Sequence, residues 1–168
     1  MRRLVLVAAA VLHQMLAASI TDSAEPARLA VFDFELIDTS LQGEMEGIDP
    51  ADEARLRMIE AALRQRLEQS GRFELVDTAP VADQIDAAGL LWSCNGCEAG
   101  IAKRLNAEYA LVGWVQKVSN LILNLNVVIR DTSTRKQVFA RSVDIRGNTD
   151  ESWRHGIRYL LENHLLKE

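Results

Sequence analysis

From Leu121 to Asp131 the chain alternates cleanly. Leu121, Leu123, Leu125, Val127 and Ile129 fall on one side, and Asn124, Asn126 and Arg130 on the other. A period of two is that of a strand with one face in a core and one toward water. The segment before it, 107–119 (AEYALVGWVQKVS), reads as a strand rich in apolar residues, and 138–146 supplies a further strand. Ser119-Asn120 and residues 131–136 are short polar connections, so the three strands are predicted to form an antiparallel meander.

Elsewhere the period changes to that of a helix. Leu56, Ile59, Leu63 and Leu67 recur at steps of three and four, with Met58 and Ala62 widening the stripe. Asp49 is a capping residue, Pro50 suits the first helical position, and Asp52 and Glu53 meet the positive end of the helix dipole. Ser70-Gly71 ends the helix. A last helix starts at Thr149-Asp150 and turns Trp153, Ile157, Leu160, Leu161 and Leu165 inward. Shorter helical stretches are predicted over 80–88 and 98–106, the latter with Ile101, Ala102 and Leu105 inside. Arg28–Leu36 (RLAVFDFEL) is apolar on both faces up to Asp33, as in a strand from the interior of a sheet. Residues 37–48 are expected to form a loop, and 72–77 a short strand.

The resulting order is β-α-β-(α)-α-β-β-β-α, an α/β (α+β) domain with a mixed sheet of about five strands and helices packed on it. Strands separated by helices favour parallel pairing through right-handed crossovers, whereas the last three turn back on themselves.

The ends of the chain add a compartment. Met1-Arg2-Arg3 precedes nine apolar residues, Leu4–Leu12, and small residues follow around Ala17 and Ser19. This is the layout of a secretory signal peptide, 1–19, with cleavage as late as Ala24 as the alternative. Its apolar run is shorter than the roughly 20 residues that span a bilayer. Residues 20–27 then form a tether, and 28–168 a single domain. The expectation is a periplasmic or secreted protein that meets the membrane only through its signal segment. The whole chain carries a net charge of −5, and losing Arg2 and Arg3 makes it more acidic. With no basic patch interleaved with aromatics, nucleic acid is not an expected partner.

Candidate chemistry centres on Cys94-Asn95-Gly96-Cys97, the only cysteines present. In an oxidising compartment an adjacent pair is expected to close as a disulfide. Asn95-Gly96 suits so tight a ring, which would fix the entry to the helix at 98–106. The alternative is a thiol–disulfide protein, since Trp92 precedes a Cys-x-x-Cys that leads into a helix. Against it, no proline follows Pro80 to face the thiols. A zinc site would need Cys94, Cys97, His155 and His164, and the two histidines are nine apart on one helix, out of line. They are expected to be exposed. Glu98 stands where haem attachment needs histidine. No metal or other cofactor is expected.

Between Arg28 and Arg55 lies no basic residue but eight acids: Asp33, Glu35, Asp38, Glu44, Glu46, Asp49, Asp52 and Glu53. A periplasmic cation or small-ligand binder using this 33–53 segment is the second functional reading. Asp33, inside an apolar run, is expected to be buried and paired, with Arg130, Arg141 or a helix amino terminus as partner. Trp114, Gln116, Asn124 and Asn126 would share a polar binding face if the strand register aligned them.

Four stretches carry a resemblance: RLAVFDFEL, SGRFELVD, AEYALVGWVQKVSN and DTSTRKQVFARSVDIRGN. Together they resemble a family of uncharacterised secreted proteobacterial proteins. The fold of that family is similar to the amino-terminal domain of TolB, to the curli-secretion lipoprotein CsgG and to the penicillin-binding-protein activator LpoB. The resemblance spans roughly residues 28–166. It implies a non-enzymatic accessory or interaction domain working through an envelope protein partner, and it transfers no catalytic residue.

Overall fold

A computed structural model describes residues 25–167, so the predicted signal peptide and most of the tether lie outside the described residues. The predicted class holds: a mixed sheet with helices packed on it. The sheet has six strands: β1 (Ala27–Val31), β2 (Glu35–Asp38), β3 (Phe73–Val76), β4 (Tyr109–Ser119), β5 (Ile122–Asp131) and β6 (Gln137–Arg146). Their order is β3-β1-β4-β5-β6, with β2 continuing beside β4 past the end of β1. The β1–β3, β1–β4 and β2–β4 pairs are parallel, and β4–β5–β6 is the antiparallel meander.

The stretch 28–36 is therefore not one strand. Val31 pairs with Leu111, but Glu35 pairs with Trp114, so β1–β2 carries one residue more than β4 across the same span. The extra residue breaks the alternation, as in a bulge. Phe34 takes the inward place, and Asp33 swings out with its side chain 89% exposed, 3.2 Å from Arg64. Asp33 is thus neither buried nor paired with Arg130 or Arg141. Phe34 lies so close over Gly113 that a Cβ there would sit 2.2 Å from its ring.

The segment 37–48 is also more ordered than a loop. It completes β2 and forms a short helix α1 (Leu41–Glu46), capped by Ser40, whose hydroxyl accepts the Gly43 N–H at 3.1 Å. Ala27, expected in the tether, already pairs with Phe73.

Helices α2 (Pro50–Gln69) and α5 (Asp150–Leu160) cover one face of the sheet. Ile59, Leu63, Leu67, Trp153, Ile157 and Leu160 pack there against Leu111, Val115, Leu123, Leu125 and Val127. Past α5 the chain makes a π-type turn, Leu161–Leu165, that buries Leu161 and Leu165. On the opposite face α3 (Ala82–Ala88) and α4 (Cys97–Lys103) cover β1 and the first half of β4, over Ala30, Phe32, Ala110 and Val112. Among the described residues, no α-helix lies over the second half of β4, β5 and β6 on that side.

Candidate functional site

Strand β4 sends alternate side chains to two different environments. Toward the helices go Leu111, Val115 and, at the same parity, Lys117, which is only 1% exposed. Its Nζ lies 2.7 Å from Asp52 Oδ2 and 3.1 Å from Asp38 Oδ2. The other Asp52 oxygen accepts hydrogen bonds from Arg55 and from Asn148 Nδ2, both at 2.7 Å. Asn148 Oδ1 accepts the indole N–H of Trp153 at 2.8 Å, and Asp38 Oδ1 accepts the Ser40 N–H at 2.9 Å. Burial on its own would raise the pKa of Asp52, but the hydrogen bonds from Lys117, Asn148 and Arg55 outweigh it and hold the carboxyl below its ordinary value. Asp38 is held low in the same way, by Ser40 and Lys117 against burial. Burial pulls the Lys117 ammonium down, and the two carboxylates more than restore it. The cluster ties β2, α2, β4 and the turn before α5 together, and Asp38 Oδ2 meets Lys117 as an ion pair without a hydrogen bond.

The opposite parity is open. Trp114 pairs across to Asn126 and Gln116 to Asn124, so the register brings these four residues side by side. Gln116 is exposed and the two asparagines half-buried. Asn124 Nδ2 donates to Asp144 Oδ1 at 2.6 Å, and Asn126 Nδ2 to the Asn124 carbonyl at 3.2 Å. Val118 and Ile122, about half exposed at 47% and 50%, extend the surface. Ser142 and Asp144 of β6 continue it across the meander.

One end of this shelf is walled by the segment 90–98. Glu35 accepts the backbone N–H groups of Leu91 at 2.7 Å and Trp92 at 2.9 Å, which pins that segment to β2. Trp92 then lies tilted over Trp114, with ring centroids 5.8 Å apart. Cys94 and Cys97 are joined, their α-carbons 5.5 Å apart. Asn95 (φ 56°) and Gly96 (φ 95°) take the left-handed backbone that so short a ring requires. Glu98, 3% exposed, accepts from Arg130 Nε at 2.6 Å. Its other oxygen lies 3.4 Å from Cys94 Sγ, a contact without a proton because that sulfur is already bonded. Between Trp92, Trp114, Glu98 and Arg130 a crevice of about 50 Å³ remains, space for one or two waters.

The acidic segment does not assemble. Asp33 goes to Arg64, Glu35 to the 91–92 amides, and Asp38 and Asp52 to Lys117. Asp49 caps α2 by accepting the Ala51 N–H at 2.8 Å, Glu46 accepts from Gln42, and Glu53 lies 3.9 Å from Arg57. Glu44 is exposed on α1. Asp38 and Asp52 meet at the Lys117 ammonium, and the other paired carboxylates go to separate partners. Among the described residues, the group whose ligand atoms lie within 4.8 Å of one another is Cys94, Cys97 and Glu98, and the disulfide occupies its sulfurs. His155 is exposed. His164, expected to be exposed, is half-buried edge-on to Tyr159, with ring centroids 5.5 Å apart. Among the described residues no helix is long and apolar enough to cross a membrane.

Sequence reasoning missed the Lys117 cluster, although a signal was present. Lysine at the parity of Leu111 and Val115 points into the core and must find buried carboxylates there. It also missed the clamp by Glu35 and the Glu98–Arg130 pair, which bridge elements far apart in the chain.

Comparison with known proteins bears on the fold. The C-terminal domain of LpoB from Salmonella enterica is similar with a TM-score of 0.52 at 18% identity, over 75% of this chain and 87% of that one. Lipoprotein GNA1162 from Neisseria meningitidis gives 0.51 at 13% identity, over 85% and 99%. The PelC dodecamer from Paraburkholderia phytofirmans gives 0.51 at 14% identity, over 82% and 86%. At such identities the likeness is one of fold. No curated protein sequence matches the chain. The chain belongs to the family described as "Protein of unknown function (DUF2380)", whose model matches residues 27–165.

Proposed function

We propose that this family member is a secreted, periplasmic, non-enzymatic accessory domain that docks an envelope protein on the open face of its sheet. The observation that carries the reading is the uncovered shelf: Trp92 and Trp114 at one end, Gln116, Asn124 and Asn126 in the middle, Val118 and Ile122 at the other. Tryptophans beside adaptable amides, at the end of a rigid meander, are the make-up of a protein-binding surface. The buried charges elsewhere in the fold are paired, Lys117 with Asp38 and Asp52 and Glu98 with Arg130, and no nucleophile–base pair is aligned among the described residues. A closed Cys94–Cys97 ring and the amino-terminal signal pattern support an oxidising compartment. One similar structure is a lipoprotein and another a dodecamer, which is in keeping with this reading.

The test is site-specific photo-crosslinking in the native host. A benzophenone side chain at Gln116 is expected to capture one defined protein partner, and the same probe at Arg57 on the outer side of α2 to capture none. Trp114→Ala in the Gln116 probe protein is expected to reduce that yield by roughly tenfold or more, as for an aromatic anchor of an interface. Equal yields from positions 57 and 116 would refute the docking face.

A further inference from the structure

At the end of the helix-covered face farthest from Lys117, the two helices stop short of the sheet. Helix α2 finishes at Gln69 and α5 gives way to its final turn, leaving a cavity of about 460 Å³. That lies within the roughly 300–1,000 Å³ usual for small-ligand sites. Phe73, Tyr109, Ile129 and Phe139 form its floor, and Arg72, His164 and Lys167 stand on its rim.

The charge balance of this lining is anomalous for the chain. The protein has 24 acidic against 19 basic residues, yet among the described residues no Asp or Glu lines the cavity. Arg72 is also held in place. Its guanidinium donates to the Leu165 carbonyl at 3.2 Å and lies 5.7 Å from the centre of the Phe73 ring. Among the described residues no carboxylate pairs with Arg72, as is also true of Arg104, Arg141 and Arg158, but Arg72 alone of these lines this cavity. Arg72 is exposed, and a cation held at the edge of an apolar floor suits an occupant with an apolar body and a negative head.

We infer that this cavity binds a small amphipathic carboxylate, a single acyl chain lying on Phe73, Tyr109, Ile129 and Phe139 with its carboxylate at Arg72 and Lys167. The site is on the opposite side of the sheet from the protein-docking shelf and at its other end, so the two inferences stand or fall separately. The charge supplies the selection between head groups, because a hydrogen bond to an ionised group is worth roughly a tenfold change in affinity or more.

The experiment is calorimetric titration of the full chain with four probes: decanoate, decan-1-ol, decyltrimethylammonium and acetate. Decanoate is expected to bind one per chain, at least roughly tenfold tighter than decanol, with no saturable binding of the cationic amphiphile or of acetate. Arg72→Gln is expected to weaken decanoate roughly tenfold and leave decanol unchanged. Because Arg72 also holds Leu165, the exposed Lys167→Glu serves as a second variant, with a weakening in the same direction and an unchanged melting temperature. Decanol binding as tightly as decanoate would overturn the inference, since the cavity would then be merely apolar. Decanoate binding unaffected in both variants would overturn it too. So would no decanoate binding, whether nothing enters or a second copy covers the cavity and appears as a dimer in sedimentation.

Discussion

Lys117 and Gln116 are neighbours on one strand and meet opposite fates. Lys117 points toward the helices, where two carboxylates enclose it and their remaining oxygens are taken by Arg55, Asn148 and Ser40. Gln116 points the other way, beside Asn124, into water. The contrast teaches which polar groups are available for recognition. A buried ion must have its partners inside the fold, so a satisfied buried cluster has little capacity left for a ligand. A half-exposed amide on a rigid strand keeps that capacity. The richest constellation of charge in the molecule is thus its structural tie, and the plainer surface is its docking face.

The sharpest way to break this contrast is to damage the tie. Asp52→Ala leaves Lys117 buried beside only one carboxylate and should cost about 3–5 kcal/mol in urea unfolding, the usual cost of breaking a buried ion pair. The same cluster sets the pH limits. Because the Asp38 and Asp52 carboxyls are held below the ordinary value of 3.8, they stabilise the fold above that pH, and the contribution is lost as pH falls through their lower folded values. Lys117 is shifted the other way: its contribution is complete below 10.5 and lost as pH rises through its higher folded value. Unfolding free energies measured across pH should fall at both ends, and Asp52→Ala should flatten the acid limb.

Smaller effects sharpen the boundary between the two faces. Gly113→Ala drives a Cβ into the Phe34 ring from the sheet side and should cost about 1–3 kcal/mol by overpacking, read as a shifted urea midpoint. Cys94→Ser with Cys97→Ser should cost about 2 kcal/mol, since the closed loop is short. Gln116→Arg, by contrast, should change stability by less than about 0.5 kcal/mol, as an exposed substitution does. A large loss there would mean that the shelf is a structural surface.

How much of this was legible in the chain depends on the range of the contact. The alternation from Leu123 to Ile129 fixed the faces of β5, although Leu121, expected inward, is 74% exposed before the strand, and short turns on either side fixed the meander. Together they brought Trp114, Gln116, Asn124 and Asn126 into one row. Caps written in local sequence, such as Asp49 before Pro50, also read correctly. The stretch 28–36 misled because a one-residue excess on β1–β2 leaves no mark in composition, so Asp33 seemed buried where Phe34 takes the inward place. The acidic run looked like a site because it is contiguous in sequence. Folding sends four of these carboxylates to partners tens of residues away, Asp33 to Arg64, Glu35 to Leu91, and Asp38 and Asp52 to Lys117, while Glu46, Asp49 and Glu53 serve near neighbours. No local pattern announces such pairings, except that a lysine at inward parity must have one.

The most direct test measures melting temperature and photo-crosslink yield together in two variants, with the benzophenone probe placed at Ile122 on the shelf. The account predicts that Gln116→Arg melts like the parent but loses the crosslinked partner, while Asp52→Ala melts far lower. It is contradicted if Gln116→Arg crosslinks at the parental yield, or if Asp52→Ala melts at the parental temperature.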